Sequence, residues 1–185
     1  MNFNIPNLLS LYRIGIAPFL LLSAYMGSET LFFIFFLSML LSDALDGLIA
    51  RILNQTSALG ARLDSYGDIA TYLSVPVAVW WLWPEIIKDE MVCIIVAVTV
   101  YVLPAFFSLA KFGQLASYHT WITKLSAGLM SLGVILLLLF HSPSVFHIAI
   151  VFLIVEAVEN IAITLVLSEP KSDIRSFWDA HISQK

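Results

Sequence analysis

Residues 42–70 of this 185-residue chain read SDALDGLIARILNQTSALGARLDSYGDIA. The stretch places four carboxylates in a strongly apolar chain, at Asp43, Asp46, Asp64 and Asp68. The first two lie three residues apart and the last two lie four residues apart, so on helices each pair shares one face. A carboxylate at membrane depth is energetically costly, and four together require a compensating charge. We interpret that charge as a divalent metal.

The composition of the chain predicts a membrane protein. Hydrophobic residues make up 60% of the sequence and charged residues 12%, and the apolar runs are long enough to cross a hydrocarbon core of roughly 30 Å. Because unpaired backbone groups cannot face lipid, we predict an all-α, polytopic fold. The single cysteine, Cys93, excludes a disulfide framework and a cysteine metal site. The N-terminus lacks a basic region and a cleavage site, and we expect it to be retained.

Six apolar segments are predicted to cross the membrane, at residues 8–26, 31–51, 58–83, 91–109, 125–140 and 145–167. Residues 85–90 are expected to form a charged loop, and residues 168–185 a polar tail with a short surface helix. The whole chain, 1–185, is expected to be one integral-membrane domain. All basic residues except Lys88 fall near one predicted face, which places both termini in the cytoplasm. Arg13 is interpreted as an interface anchor on that face.

The second and third segments are predicted to be antiparallel and to face each other, joined by a short cytoplasmic loop. The four aspartates then converge at one depth, where hard oxygen ligands suit Mg²⁺, Mn²⁺ or Ca²⁺. Gly47 and Ala50 lie one turn beyond the first pair, and Gly60 lies on the facing helix, so a bulky ligand could approach the backbone there. Arg51 could pair with a phosphate. Together these residues predict a site for a metal-bound diphosphate.

The pattern Asp43-x2-Asp46-Gly47-x2-Ala50-Arg51-x8-Gly60-x3-Asp64-x3-Asp68 resembles the complete signature of the CDP-alcohol phosphotransferase family. The six-segment layout is similar to that family along nearly the whole chain. The resemblance implies six transmembrane helices around a polar cavity open to the cytosol, a homodimer, and one or two ions of Mg²⁺ or Mn²⁺ held by the four aspartates. It also implies that Asp68 is the general base, and that the CDP-binding residues are Asp43, Gly47, Ala50, Arg51, Gly60 and Asp64.

The reaction implied by the resemblance is transfer of a phosphatidyl group from CDP-diacylglycerol to a hydroxyl acceptor, with release of CMP. The acceptor would be a small polar or lipid alcohol, and the reaction a step of phospholipid biosynthesis. The opening IPNLLSLYRIGIAPFLLL, at residues 5–22, resembles bacterial phosphatidylglycerophosphate synthases and favours glycerol 3-phosphate as the acceptor. Inositol phosphate, inositol, serine and phosphatidylglycerol stay open as acceptors. We expect a multi-pass protein of the bacterial cytoplasmic (inner) membrane, with its active site facing the cytoplasm and no nucleic-acid partner.

An acceptor phosphate would need a second cationic patch, for which the candidates are Arg62, Lys111, His119 and Lys124. All four lie near the face that carries the aspartates. Their charge and position therefore predict an acceptor-binding patch on the cytoplasmic side.

The last predicted span carries a polar face of Glu156, Glu159 and Asn160. These residues could hydrogen-bond acceptor hydroxyls, hold an amine, or form an internal salt bridge that stabilises the bundle. A rival function for the whole chain is a divalent-cation transporter or channel, because intramembrane acids often mark ion paths. That function predicts acids near mid-membrane with access from both faces, whereas the four aspartates are expected near one face.

Overall fold

The structure is a computed structural model in which the described residues are 4–53, 58–116, 118, 120–170, 174 and 176–182, with backbone alone at 51, 58, 61, 181 and 182. These residues form two compact units, Met1–Glu90 and Met91–Lys185. The helices of the first unit are α1 (Ile5–Tyr25), α2 (Glu29–Ile52), α3 (Ala58–Leu82) and α4 (Pro84–Asp89). Those of the second unit are α5 (Met91–Phe112), α6 (Trp121–Phe140), α7 (Ser144–Val166) and α8 (Phe177–Ile182).

Five of the described helices are long and apolar enough to cross a membrane, namely α1, α2, α5, α6 and α7. This confirms the predicted all-α fold and agrees with a polytopic membrane protein. The first half of α3 carries Arg62, Asp64 and Asp68, and α3 is not among the five, so the sixth span stays a prediction. The loop predicted at residues 85–90 is wrong, because Pro84 opens the short helix α4.

In the first unit, α1 packs along both α2 and α3, which touch each other only slightly. The prediction that α2 and α3 face each other directly is therefore wrong. The buried face of α1 is rich in small side chains, including Ser10, Ala17 and Ala24, which let two neighbouring helices approach closely. The first helix of the chain thus separates the two helices that carry the aspartates.

An aromatic cluster packs the start of α2 against Trp83, which follows α3. The Phe32 ring, which is fully buried, meets the Trp83 ring edge-on at 5.3 Å and stacks on Phe36 at 5.6 Å. Ile86 and Ile87 of α4 are buried as well. Aromatic pairs of this geometry stabilise a contact beyond the area they bury. Asp43 and Asp46 lie on the second half of α2, about two turns or more along the helix from Phe36.

In the second unit, α7 packs against α5, α6 and α8. The predicted tail helix is confirmed as α8, and the backbone N–H of Phe177 donates to Glu159 Oε1 at 3.2 Å. Tyr118 is buried, its hydroxyl lies 3.1 Å from Thr164 Oγ1, and burial raises the pKa of its phenol. These contacts hold α8 and Tyr118 against α7. A small buried cluster there contains Tyr118, Ile163, Leu167, Ile174 and Ala180.

Gly133 marks the closest approach of α6 to α7. A Cβ at this position would lie 2.7 Å from Phe146 Cα and 2.8 Å from Phe146 N. We expect Gly133→Ala to destabilise the protein by about 1–3 kcal/mol, because the backbone of α7 must move to admit the methyl group. The measurement is thermal unfolding in detergent.

Gly128→Ala is the matched control for Gly133→Ala, since it makes the same change in the same helix. A Cβ at Gly128 meets nothing within 4 Å. We expect the control to leave stability unchanged or to raise it slightly. Equal effects of the two substitutions would contradict the proposed close contact.

Candidate functional site

The four aspartates of the sequence motif come together in the first unit. Asp43, Asp64 and Asp68 each offer a carboxylate oxygen, and these oxygens lie within 4.8 Å of one another. The side chains of Asp43 and Asp68 are 42% and 36% exposed, whereas that of Asp46 is only 7% exposed. The group therefore has an accessible side and a buried side, and Asp46 lies on the buried side.

Arg13 of α1 lies among these carboxylates, and its side chain is 1% exposed. One terminal nitrogen, Nη1, donates to Asp43 Oδ1 and to Asp68 Oδ1. The other, Nη2, donates to Asp64 Oδ1 and, at 2.8 Å, to Asp46 Oδ2. The interpretation of Arg13 as an interface anchor is wrong, because its guanidinium is buried and paired with four carboxylates, whereas an anchoring arginine extends its charged group into water.

Two further residues fit this arrangement and were missed in the sequence. Ser10, one turn before Arg13, donates through Oγ to Asp46 Oδ2 at 3.2 Å. Gly67 of α3 lies directly against the guanidinium, and a Cβ there would be 3.0 Å from Arg13 Cζ. The signal that could have found the contact is the position of Arg13 inside a predicted span, where a charge without a partner is costly.

The residues predicted to bind CDP lie on α2 and α3. Gly47 is exposed, and the space that a Cβ would occupy there is open to 4 Å. Ala50 and Gly60 are half-buried. The side chain of Arg51 lies outside the described residues. CDP binding by these residues stays a prediction.

The carboxylate group has the donor chemistry that a divalent cation requires. Asp43, Asp64 and Asp68 supply hard oxygen atoms from two helices at mutual distances short enough for one ion to bridge. Each of the ion pairs with Arg13 uses one of the two oxygens of a carboxylate. The residues present therefore fit one or more ions on the accessible side of the group.

The four candidates for an acceptor site differ in their surroundings. Lys111 donates through Nζ to the carbonyl oxygens of Thr164 and Leu165, at 3.0 and 2.8 Å, and so caps the C-terminal end of α7. Lys124 is exposed, and its Nζ lies 4.9 Å from the centre of the Trp121 ring. Arg62 is exposed on the first half of α3, and His119 lies outside the described residues. Acceptor binding by these four residues stays a prediction.

The polar face of α7 is directed into the second unit. Glu156 is buried, with the hydroxyl groups of Thr123 and Ser126 and the amide of Asn160 in hydrogen-bonding range. Glu159 accepts the hydrogen bond from the α8 backbone described above. Among the described residues, the partners of this face are thus hydroxyl and amide groups, and together they join α6, α7 and α8.

Comparison with known proteins gives one family over most of the chain. The model of the family described as CDP-alcohol phosphatidyltransferase matches residues 3–165. Two relatives are named CDP-diacylglycerol–glycerol-3-phosphate 3-phosphatidyltransferase. The Wigglesworthia glossinidia brevipalpis protein is 41% identical over 71 residues, which are 37% of this chain and 39% of the relative. The Pectobacterium atrosepticum protein is 34% identical over 91 residues, which are 44% of this chain and 50% of the relative.

A third relative, from Mycobacterium tuberculosis, is named "Putative cardiolipin synthase". It is 36% identical over 87 residues, which are 42% of this chain and 41% of the relative. The alignments with these three relatives thus cover half of their lengths or less. No solved structure matches the chain.

Proposed function

The chain belongs to the CDP-alcohol phosphatidyltransferase family, and we propose that it transfers a phosphatidyl group from CDP-diacylglycerol to a hydroxyl acceptor, releasing CMP. The observation that carries this proposal is the group of four aspartates, which come from two helices and include three oxygens within 4.8 Å of one another. All the residues of the family signature, from Asp43 to Asp68, lie on two helices, α2 and α3.

Asp43, Asp46, Asp64 and Asp68 would hold one or two ions of Mg²⁺ or Mn²⁺. When bound, divalent ions neutralise the diphosphate and the charge that develops on the leaving CMP. Gly47, Ala50 and Gly60 would border the nucleotide, and Arg51 at the end of α2 would pair with a phosphate. Asp43 and Asp64 border this nucleotide site as well.

Asp68 would act as the general base. Its side chain is 36% exposed, so an acceptor hydroxyl can reach it from the accessible side. The acceptor oxygen forms a bond to the β-phosphorus of CDP-diacylglycerol while its proton passes to Asp68. The bond from that phosphorus to the oxygen bridging to the α-phosphate breaks, and CMP leaves with the bonding electrons.

Glycerol 3-phosphate is the acceptor we propose, because the Wigglesworthia and Pectobacterium relatives are named for that reaction. The name of the mycobacterial relative makes phosphatidylglycerol the main alternative. Arg62, Lys111, His119 and Lys124 are the proposed phosphate-binding residues. Lys111 would have to exchange its contacts with the α7 carbonyl oxygens for the acceptor phosphate.

We place the protein in the bacterial cytoplasmic membrane as a homodimer, with α3 as a sixth span and both termini in the cytoplasm. The aspartates of α2 and α3 lie near the connection between these helices, and the positive-inside rule assigns that connection to the cytoplasm. A site there can reach both water-soluble acceptors and lipid head groups.

The test is an assay of CMP release by the purified protein in detergent micelles that contain CDP-diacylglycerol. The acceptors are glycerol 3-phosphate, inositol phosphate, inositol, serine and phosphatidylglycerol, each with and without Mg²⁺ or Mn²⁺. Glycerol without its phosphate is the matched control for the cationic patch. We expect CMP release that depends on metal and on glycerol 3-phosphate.

Two other outcomes would change the proposal. Turnover with phosphatidylglycerol alone would assign a different acceptor within the same chemistry. Divalent-cation flux into liposomes, without CMP release for any acceptor, would overturn the proposal in favour of a transporter or channel.

A further inference from the structure

Arg13 connects the two aspartate-bearing helices through a symmetric set of ion pairs. Each of its terminal nitrogens contacts one carboxylate of α2 and one of α3. Since α2 and α3 touch each other only slightly, the guanidinium is a principal link between them at this depth. Five delocalised N–H donors in a fixed plane make arginine the side chain best suited to such a position.

The surroundings of Arg13 are shaped to accept a guanidinium. Gly67 leaves the space that the group fills, since a Cβ there would lie 3.0 Å from Cζ and 3.1 Å from Nε. Ser10 binds Asp46, the most buried of the four carboxylates, from the side of α1. Residues of all three helices, namely Ser10 of α1, Asp46 of α2 and Gly67 of α3, thus shape the surroundings of Arg13.

The charge balance limits what Arg13 can do. One guanidinium neutralises one of four negative charges, and it does so from a position that is 1% exposed. The more exposed carboxylates, Asp43 and Asp68, keep a side open to solvent, where a small ion can enter. A divalent ion that binds there would use the exposed side of carboxylates that Arg13 contacts from a buried position.

We propose that Arg13 is a built-in counter-cation of the aspartate group. It holds the four carboxylates together when metal is absent, and its contribution to stability falls when metal is bound. Arg13 is a positioning residue in this role, because it acts on the site through the carboxylates. The inference rests on the proposed metal-dependent function.

The test compares thermal unfolding of the full chain in EDTA and in saturating Mn²⁺. We expect Arg13→Gln to lower the unfolding midpoint by roughly 5–15 °C in EDTA, because all four carboxylates lose the guanidinium that pairs with each of them. In saturating Mn²⁺ the loss should shrink to less than half, since the ions then supply the missing charge.

Tyr12→Phe is the matched control. Tyr12 neighbours Arg13 on α1, and its hydroxyl donates to Ser38 Oγ of α2 at 2.8 Å, away from the carboxylates. Removing this hydrogen bond should lower the midpoint by the same small amount with and without Mn²⁺. An equal loss in both conditions for Arg13→Gln would overturn the inference, because a purely structural contact behaves in that way.

A milder substitution covers the case in which Arg13→Gln does not fold. Gly67→Ala pushes the guanidinium by a few tenths of an ångström, and we expect a smaller loss in EDTA that Mn²⁺ again reduces. Gly15→Ala is its control, since a Cβ at Gly15 meets nothing within 4 Å. If Gly67→Ala lowered the unfolding midpoint by the same amount in EDTA and in Mn²⁺, the proposed role of Arg13 would also be overturned.

Failure of the metal proposal itself would look different. In that case Mn²⁺ would not raise the midpoint of the unchanged protein, and CMP release would continue in EDTA. The metal dependence of the proposed function and the role of Arg13 would then both be wrong, although the transfer reaction itself would stand. If CMP release depended on metal but Arg13→Gln lowered the unfolding midpoint equally in EDTA and in Mn²⁺, only the proposed role of Arg13 would be wrong.

Discussion

Asp68→Asn is expected to lower the rate of CMP release by roughly 10²–10⁴-fold, the range typical for loss of a general base. Asparagine keeps the size of the side chain and a hydrogen-bonding oxygen, but it cannot take the proton of the acceptor hydroxyl. CDP binding should change by less than about threefold, because Asp43, Asp46 and Asp64 still hold metal. The measurements are CMP release and CDP affinity, both in detergent with saturating Mg²⁺.

Two further substitutions separate base catalysis from other effects of losing Asp68. Asp179→Asn removes an exposed carboxylate of α8 and should leave both measurements unchanged. Asp64→Asn removes another carboxylate that pairs with Arg13 and that borders the proposed nucleotide site, so it should weaken CDP binding as well as turnover. Near-normal CMP release by Asp68→Asn would show that the proton goes elsewhere. Equal loss of CDP affinity in Asp68→Asn and Asp64→Asn would assign Asp68 to nucleotide binding.

Removal of divalent metal is expected to stop CMP release completely. Without it, the diphosphate of the donor would meet four carboxylates whose charge is balanced only in part by Arg13. The measurement is CMP release after dialysis against EDTA, followed by titration with Mg²⁺ or Mn²⁺. EDTA that has been saturated with Mg²⁺ beforehand is the control for effects of the chelator itself.

The same titration tests which residues hold the ion. We expect Asp64→Asn to raise the Mg²⁺ concentration for half-maximal activity by at least roughly tenfold, which corresponds to about 1.4 kcal/mol. Asp179→Asn again serves as the carboxylate control. Full activity after exhaustive chelation, or an unchanged Mg²⁺ requirement in Asp64→Asn, would contradict the assignment of this group as a metal site.

Several features of the protein follow from sequence patterns alone. The length and hydropathy of the apolar runs predict the helices, because each run must satisfy its own backbone hydrogen bonds in lipid. Spacings of three and four residues predict that Asp43 shares a face with Asp46, and Asp64 with Asp68, because the period of an α-helix is fixed. The brief polar connection between α2 and α3 predicts that the two pairs reach a similar depth. These are local properties, and the structure brings the four carboxylates together as expected.

The partner of the carboxylates was decided by tertiary structure. Arg13 lies 30 residues before Asp43 in the chain, and in the sequence an arginine in the first turns of a span looks the same whether it anchors the helix or pairs with acids. The packing of α1 along α2 and α3 removes its guanidinium from water, and Gly67 leaves space for it. The charge pattern of two helices therefore determined that a cation must be present. Which cation the chain itself supplies depended on a third helix, because burial and contact between distant segments are not encoded in any local spacing.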